Sequence, residues 1–385
     1  MILALAALFY GLVPIAGALI NRRSWRIFRR RFNDLRLQPL LDYGIYSRLE
    51  GGIYRFIGGF ESVTDGHTLW IRSDTLTIPV ALAGAQTYML PMQEGGFLPG
   101  AFDPGEEAPE RIRWDRVSTL TEGAKVFVGG ALILRDNRWT FVSTAEAPLM
   151  VIFYDGPDRS LAIRAIRAGR HQNEYWNSIT PYSLVLGALS LIFIAVSFLP
   201  RPAFHRTAIT AFAAAFIPLF PMVPPGLLFA VIYRRLWWRA RIFRAYRDLA
   251  RLPLKYLKPG EERTSLPDGE KYGFVRYDSL PPEARAKGIP LLIPEEEKSK
   301  KAEWYVFGAL QEPDLPAEPR VPLEPRFPAE PLDSFATFGA LPGNPEDLAR
   351  RYARKAYTFE LIAWLLLLAS VGLNAFFIAL IIFLI

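Results

Sequence analysis

Some stretches of this chain are uninterrupted apolar blocks, others alternate apolar and polar residues, and one repeats proline with a period of three. Four blocks stand out: Ile2–Ile20, Ile179–Leu199, Ala208–Tyr233 and Phe359–Ile385. The first three hold no formal charge, and the fourth holds only Glu360 near its start. An apolar run of about 20 residues crosses the roughly 30 Å hydrocarbon layer of a bilayer, so each block predicts a membrane span. Pro218, Pro221, Pro224 and Pro225 interrupt the third. They predict a kinked or broken helix whose freed carbonyls need a donor from a neighbour.

Alternation marks the β-rich parts. Residues 50–155 contain IYRFI, TLWIR, TLTIPVAL, KVFVGGALIL, RWTFVS and LMVIFY, short β-branched and aromatic runs that read as strands. Asp65-Gly66 and Arg135-Asp136-Asn137-Arg138 supply hairpin turns. Together they predict a small closed or nearly closed barrel. Residues 253–311 carry only KYGFVRYDSL, GIPLLIP and EWYVFGAL, three or four strands that are marginal alone and are expected to lean on the first domain.

The period of three falls in residues 312–331, with Pro313, Pro316, Pro319, Pro322, Pro325, Pro328 and Pro331. Polyproline II has three residues per turn, so these prolines share one edge of a stiff strut in which regular strand or helix is not expected. It reads as a spacer or as a ligand for a proline-binding module of a protein partner. Beyond it, residues 332–358 predict a basic helix capped by Asn344, with Pro345, Glu346 and Asp347 in its first turn. Asp158 would cap the corresponding basic helix at 156–178.

Charge adds orientation. The formal net charge is +7, and arginine is clustered. Residues 22–31 hold six arginines, and so do residues 234–247, whereas the turn at 200–207 between the second and third blocks holds only Arg201 and Arg206. Basic residues near span ends favour the cytoplasmic side, so all clusters fit if both termini lie outside. Regions 21–178 and 234–358 are then cytoplasmic, in a bacterial inner membrane. Ala16-Gly17-Ala18 faintly resembles a signal-peptide cleavage site, but no positive charge precedes the apolar block and Arg22-Arg23 follow it, which favours an anchor.

The two arginine clusters belong to a larger recurrence. Val13-Pro14, Arg22-Arg23-x-Trp25, Arg26-Ile27-Phe28-Arg29, Tyr54-x-Phe56-Ile57 and Gly130-Ala131-Leu132 return in the same order as Val223-Pro224, Arg234-Arg235-x-Trp237, Arg241-Ile242-Phe243-Arg244, Tyr272-x-Phe274-Val275 and Gly308-Ala309-Leu310. GPDRSLAIRAIR (156–167) parallels GNPEDLARRYAR (343–354). The fold expected is therefore a polytopic α-helical membrane protein with four spans and cytoplasmic β-rich domains. It would arise by tandem duplication of a unit: span, basic interfacial segment (21–49, 234–252), β domain, basic helix, span.

The run EGAKVFVGGALILRDNRWTFVS (122–143) resembles the strand-turn-strand of oligonucleotide/oligosaccharide-binding (OB) barrels, such as those beside the spans of bacterial NfeD-type membrane proteins. The resemblance covers about a quarter of the chain and implies a small barrel beside membrane spans. It carries over no partner or activity, because NfeD-type proteins arrange their spans differently.

Catalytic chemistry is not legible. Cysteine is absent, which excludes disulfides and thiolate metal sites. His67, His171 and His205 lack metal-ligand spacing, and no phosphate-loop, dinucleotide, zinc-protease or nucleophile-elbow motif occurs. No cofactor is expected, and a non-enzymatic role is. The spans lack buried carboxylates, with Asn374 the main deep polar residue and Tyr10 a partner for it. Arg22, Arg23, Trp25, Phe28, Arg29, Arg234, Arg235, Trp237, Trp238, Arg241, Phe243 and Arg244 are expected at the membrane interface, against anionic lipid headgroups. That placement leaves little room for nucleic acid.

Three functions follow as expectations. The first is a scaffold presenting two β domains to a protein partner. The second is a transport or channel component using the broken third block. The third is a lipid-headgroup or oligonucleotide binder using Trp70, Arg72, Arg135, Arg138 and Trp139 of the first barrel.

Overall fold

A computed structural model describes residues 1–46, 50–65, 67–90, 110–112, 124–170, 172, 174–257, 261–277, 289–293, 303–310 and 328–384. The chain divides into two compact units. A helical unit comprises Met1–Arg26, Gly169–Arg244 and Tyr352–Ile385, and a β unit comprises Ile27–Ala168 and Ala245–Arg351.

Among the described residues, three helices are long and apolar enough to cross a membrane. The first runs over Ile2–Leu35 as α1 (Ile2–Ala7), a π turn (Leu8–Leu12) and α2 (Val13–Leu35). The apolar span and the basic segment expected to follow it are thus one helix. Pro14 explains the π turn, because it lacks the N–H that would bond the Tyr10 carbonyl one turn earlier. The second is α5 (Thr180–Phe198), which follows α3 (Tyr43–Tyr46) and α4 (Asp158–Arg167) in chain order.

The proline-rich block is not a fourth such helix. It consists of α6 (His205–Ala215), a 3-10 segment (Ile217–Met222), an extended residue at Val223, a cis Pro224–Pro225 bond, and the start of α7 (Gly226–Ala250). Four prolines within eight residues remove too many donors for one helix to survive. α7 then runs through the boundary expected at Tyr233 without a break.

The last helix, α8 (Pro345–Leu384), is continuous over 40 residues. It begins at Pro345, after bends, turns and a short strand over residues 332–344. Asn344 caps it as expected, its Oδ1 accepting from the Glu346 N–H at 2.9 Å. Asp158 does not play that part in α4, where Pro157 is the cap residue. The Asp158 carboxylate instead accepts from Lys125 Nζ and the Tyr154 hydroxyl, both at 2.9 Å. Burial first, then Asp158, pushes the Tyr154 hydroxyl above the ordinary tyrosine range.

In the β unit, five strands close a barrel: β1 (Gly52–Thr64), β2 (Thr68–Arg72), β3 (Thr77–Ala81), β6 (Lys125–Arg135) and β7 (Arg138–Val142). The closure runs β1-β2-β3-β7-β6-β1, with β3 and β7 parallel and the other pairs antiparallel. Asp136 and Asn137 both take positive φ in the β6–β7 turn, the conformation a two-residue hairpin loop requires. Phe56, Leu69, Ile71, Ile78, Val80, Val126, Val128, Leu132 and Phe141 fill the interior. β8 (Met150–Tyr154) extends the sheet from β6, and it carries two strands the sequence pattern did not reveal, β4 (Gln86–Met89) and β5 (Glu110–Ile112).

Residues 253–311 supply three strands, β9 (Arg263–Ser265), β10 (Lys271–Tyr277) and β11 (Trp304–Leu310), to a second sheet that also takes in β12 (Pro328–Ala329) and β13 (Gly339–Leu341) from beyond that range. GIPLLIP contributes only an isolated bridge, Leu291 to Ala340. The end of the proline-rich stretch does form strand, against expectation: Pro328 and Ala329 pair with Leu310 and Ala309. Proline is tolerated there because β12 is an edge strand.

The two β regions share the unit through buried arginines. The Arg55 guanidinium, 2% exposed, pairs with Asp333, one contact being Nη1 to Oδ1 at 3.0 Å. Arg36, fully buried, donates to the Tyr256 hydroxyl at 3.0 Å and to the Phe335 and Leu252 carbonyls at 3.2 and 3.3 Å.

Candidate functional site

A groove of about 530 Å³ lies open on the barrel. Its floor is the start of β1 (Gly52, Ile53) and the far half of β6 (Ala131–Leu134), and Trp139 of β7 closes one side. Thr144–Ala147, the excursion joining β7 to β8, forms the other. Strand geometry puts these residues together: Ile53 faces Ala131, and Leu134 faces Trp139, across adjacent ladders. Ile53, Ile133 and Leu134 are 41%, 44% and 53% exposed, a grouping that a solvated domain normally hides.

The groove also borders an open edge. β1 begins at Gly52, opposite Leu132, while β6 continues to Arg135. Among the described residues, Ile133–Arg135 have β7 on one side and no strand on the other.

The barrel residues singled out in the sequence separate. Arg135, Arg138 and Trp139 meet at the β6–β7 hairpin beside the groove, with both arginines exposed. Trp70 and Arg72 lie on the outward side of β2, and the Trp70 indole donates to Thr64 Oγ1 at 2.9 Å. They do not line the groove.

The arginine-aromatic segments separate as well. Trp25, Phe28, Trp237 and Arg241 are buried, Arg22, Arg29, Phe243 and Arg244 are half-buried, and Arg23, Arg234, Arg235 and Trp238 are exposed. The inward group has protein partners. Trp25 Nε1 donates to Gln172 Oε1 at 2.7 Å, Phe28 meets the Tyr88 ring edge at 4.6 Å, and Arg29 donates to the Ala168 carbonyl at 2.8 Å. Trp237 sits perpendicular to Trp364, Phe243 stacks on Tyr352, Arg241 pairs with Glu174 and Arg244 with Glu360. Pro313, Pro316, Pro319, Pro322 and Pro325 lie outside the described residues, as does most of the strut.

Inside the helical unit, polar side chains answer broken backbone. Pro14 frees the Tyr10 carbonyl, and the Tyr175 hydroxyl donates to it at 2.5 Å. Ser183 Oγ donates to the Phe9 carbonyl at 2.6 Å, and Asn177 Nδ2 to the Pro14 carbonyl at 2.9 Å. At the second break, Pro224 frees the Phe220 carbonyl. Asn374 Nδ2 donates to it at 2.7 Å and to the Val223 carbonyl at 2.9 Å, while Ser370 Oγ donates to the Gly226 carbonyl at 2.9 Å. The expected pairing of Asn374 with Tyr10 is not made, because the Tyr10 hydroxyl donates to the Ala215 carbonyl at 3.3 Å, where α6 ends. Sequence reasoning missed Asn177, Ser183 and Tyr175. Their signal was proximity in sequence to a span, without any mark of which carbonyl each would reach.

Among the described residues, no three histidine, aspartate or glutamate side chains group to hold a metal ion. No protein-family model, curated protein or solved structure matches the chain.

Proposed function

We propose that this protein is a membrane-embedded scaffold whose barrel groove receives an extended, apolar segment of a protein partner. The carrying observation is the coincidence of exposed Ile53, Ile133 and Leu134 with the open stretch of β6. An added strand would gain backbone hydrogen bonds at that edge and bury alternate side chains in the groove. Closure in the order β1-β2-β3-β7-β6, sealed by a parallel pair, supports an OB-like reading of the barrel. Around it we infer four crossings, the broken α6–α7 segment being the additional one. Both termini lie outside an inner membrane and the β unit lies in the cytoplasm, supported by the arginine-rich segments.

We also infer that the chain arose by tandem duplication. In the first half β1, β6 and β8 are neighbours in antiparallel order, and β8 leads through Gly156, at positive φ, into α4. In the second half β10, β11 and β13 repeat that order, and β13 leads through Gly343, also at positive φ, into α8. Trp25 and Trp237, at matching positions of the recurrence, are each 7% exposed. The transport reading rests on the broken block, but the polar side chains at that break are engaged by its carbonyls.

A photo-crosslinking residue at Ile53 or Ile133 in the full chain in its native membrane tests the function. A discrete adduct from these positions, absent from exposed Thr75 and lost with Leu134→Asp, is expected. No adduct at either position, or equal adducts at Thr75, would refute the scaffold reading.

A further inference from the structure

The arginine-rich helices present two faces. On α2, Trp25, Phe28 and Phe32 are buried, whereas Arg23, Arg26 and Arg30 are exposed. At 100° per residue these three arginines fall on one stripe, which continues backwards through Leu19 (58% exposed) and Ile15 (38%). The outward stripe of this helix therefore changes from apolar to cationic within one turn. α7 repeats the pattern in the same direction: exposed Leu227, Leu228 and Val231 give way to exposed Arg234, Arg235 and Arg239, with Trp238 40% exposed among them.

Among the described residues, none of these six arginines meets a carboxylate, whereas inward Arg241 and Arg244 pair with Glu174 and Glu360. Among the described residues, Arg241 and Arg244 are thus neutralised where they pack, and these six outward arginines are left without a counter-charge. A guanidinium is a planar fork that grips a phosphate through two parallel bonds, and an indole settles at headgroup depth. Next to an exposed apolar stripe, the complement is a phosphate joined to a hydrocarbon chain.

We propose that the Arg23/Arg26/Arg30 and Arg234/Arg235/Arg239 strips are binding surfaces for anionic phospholipid headgroups, and that they select the lipids in contact with the protein. This goes beyond the scaffold reading and stands without it. It also goes beyond topology, since orientation during insertion needs positive charge alone and phosphate gripping needs the guanidinium fork.

The test uses the full chain reconstituted into nanodiscs of phosphatidylglycerol and phosphatidylcholine in equal parts. Native mass spectrometry after transfer to detergent reads the retained lipids. The unaltered protein is expected to retain phosphatidylglycerol in excess, and 0.5 M salt during transfer should weaken that excess. Replacing one strip by glutamine (R23Q/R26Q/R30Q or R234Q/R235Q/R239Q) should cut the excess on the order of tenfold. Replacing it by lysine keeps the charge, and with it the orientation and fold, and should leave an intermediate excess. Equal retention of the two lipids by the unaltered protein overturns the proposal. So does an excess that neither the glutamine nor the lysine variants change. Binding of a single-stranded oligonucleotide through these arginines, with no phosphatidylglycerol excess, would assign the strips to nucleic acid and also overturn it.

Discussion

The proline breaks of the helical unit and the segment junctions of the β unit satisfy buried polarity in different ways. In the helical unit, the polar groups buried at the proline breaks are neutral: Asn177, Ser183, Ser370 and Asn374, each donating to a backbone carbonyl. In the β unit, charged groups help join distant segments: Arg36 to Leu252 and Phe335, and Arg55 to Asp333. An amide or hydroxyl satisfies one lost hydrogen bond at modest desolvation cost, which suits a surrounding of lipid and apolar side chains. A guanidinium has five donors, and a surrounding rich in carbonyls and carboxylates can satisfy all of them. Arg36 spreads its donors widely, Nε to Asn33, Nη1 among Tyr256, Phe335 and Thr337, and Nη2 to Leu252.

That contrast is open to direct attack. The largest effect is expected in the β unit from Asp333→Ala, which leaves Arg55 buried without its carboxylate. Removing one partner of such a pair costs about 3–5 kcal/mol, read as a lower denaturation midpoint by tryptophan fluorescence in detergent. Arg55→Met with Asp333→Leu should recover most of the loss; a double variant as unstable as the single one would show that charge burial is not the cause.

In the helical unit, Gly226→Val should come next, at about 3 kcal/mol by overpacking. A Cβ there falls 2.4 Å from Asn374 Nδ2 and 2.8 Å from the Phe220 carbonyl oxygen. Thermal unfolding in the same detergent checks it, with exposed Gly372, which has open space around it, as the tolerant control. Asn374→Leu keeps the volume and removes the donor to two carbonyls, for about 2 kcal/mol. Tyr175→Phe removes one hydroxyl and should cost about 1 kcal/mol or less. If Tyr175→Phe proved costlier than Asn374→Leu, the single-proline π turn rather than the multiple-proline break would be the dependent site.

The smallest change is with pH. Burial holds Tyr256 and Tyr272 above the usual value of 10, opposed in part by Arg36. Their neutral forms are favoured in the folded state, so this contribution is intact below pH 10. It is lost as pH rises past 10, where the unfolded tyrosines release protons first. Stability of the β unit should be flat from pH 8 to 10 and fall beyond it by under about 1 kcal/mol per group in the first half unit. A decline starting near pH 8 would point to another group.

Hydropathy made legible three helices long and apolar enough to cross a membrane, because an apolar run of the right length has few other uses. The prolines marked the position of the broken block, and the need for outside donors followed from lost N–H groups. Their identity did not follow, because Asn374 lies more than 150 residues from Phe220. The same limit hid the Arg55–Asp333 pair. β12 and β13 were missed because strands of two or three residues owe their state to β11 rather than to their own sequence. In the barrel, the turn at Asp136-Asn137 was legible because few residues accept positive φ at both positions. The groove was not, since alternation tells which face of a strand is apolar and not whether anything covers it.

The mending of the α6–α7 break has a consequence for how the chain is made. Synthesis runs from the amino end, so the carbonyls of Phe220 and Val223 are made long before Ser370 and Asn374 have been translated. In that interval only the backbone N–H groups of Val223 and Leu227, at 3.2 and 3.1 Å, serve them, and their remaining acceptor capacity turns to water, headgroups or the insertion machinery. The final helix therefore completes its predecessor as well as adding to it, and a nascent chain halted between the two would carry an unmended break for a quality-control protease to recognise.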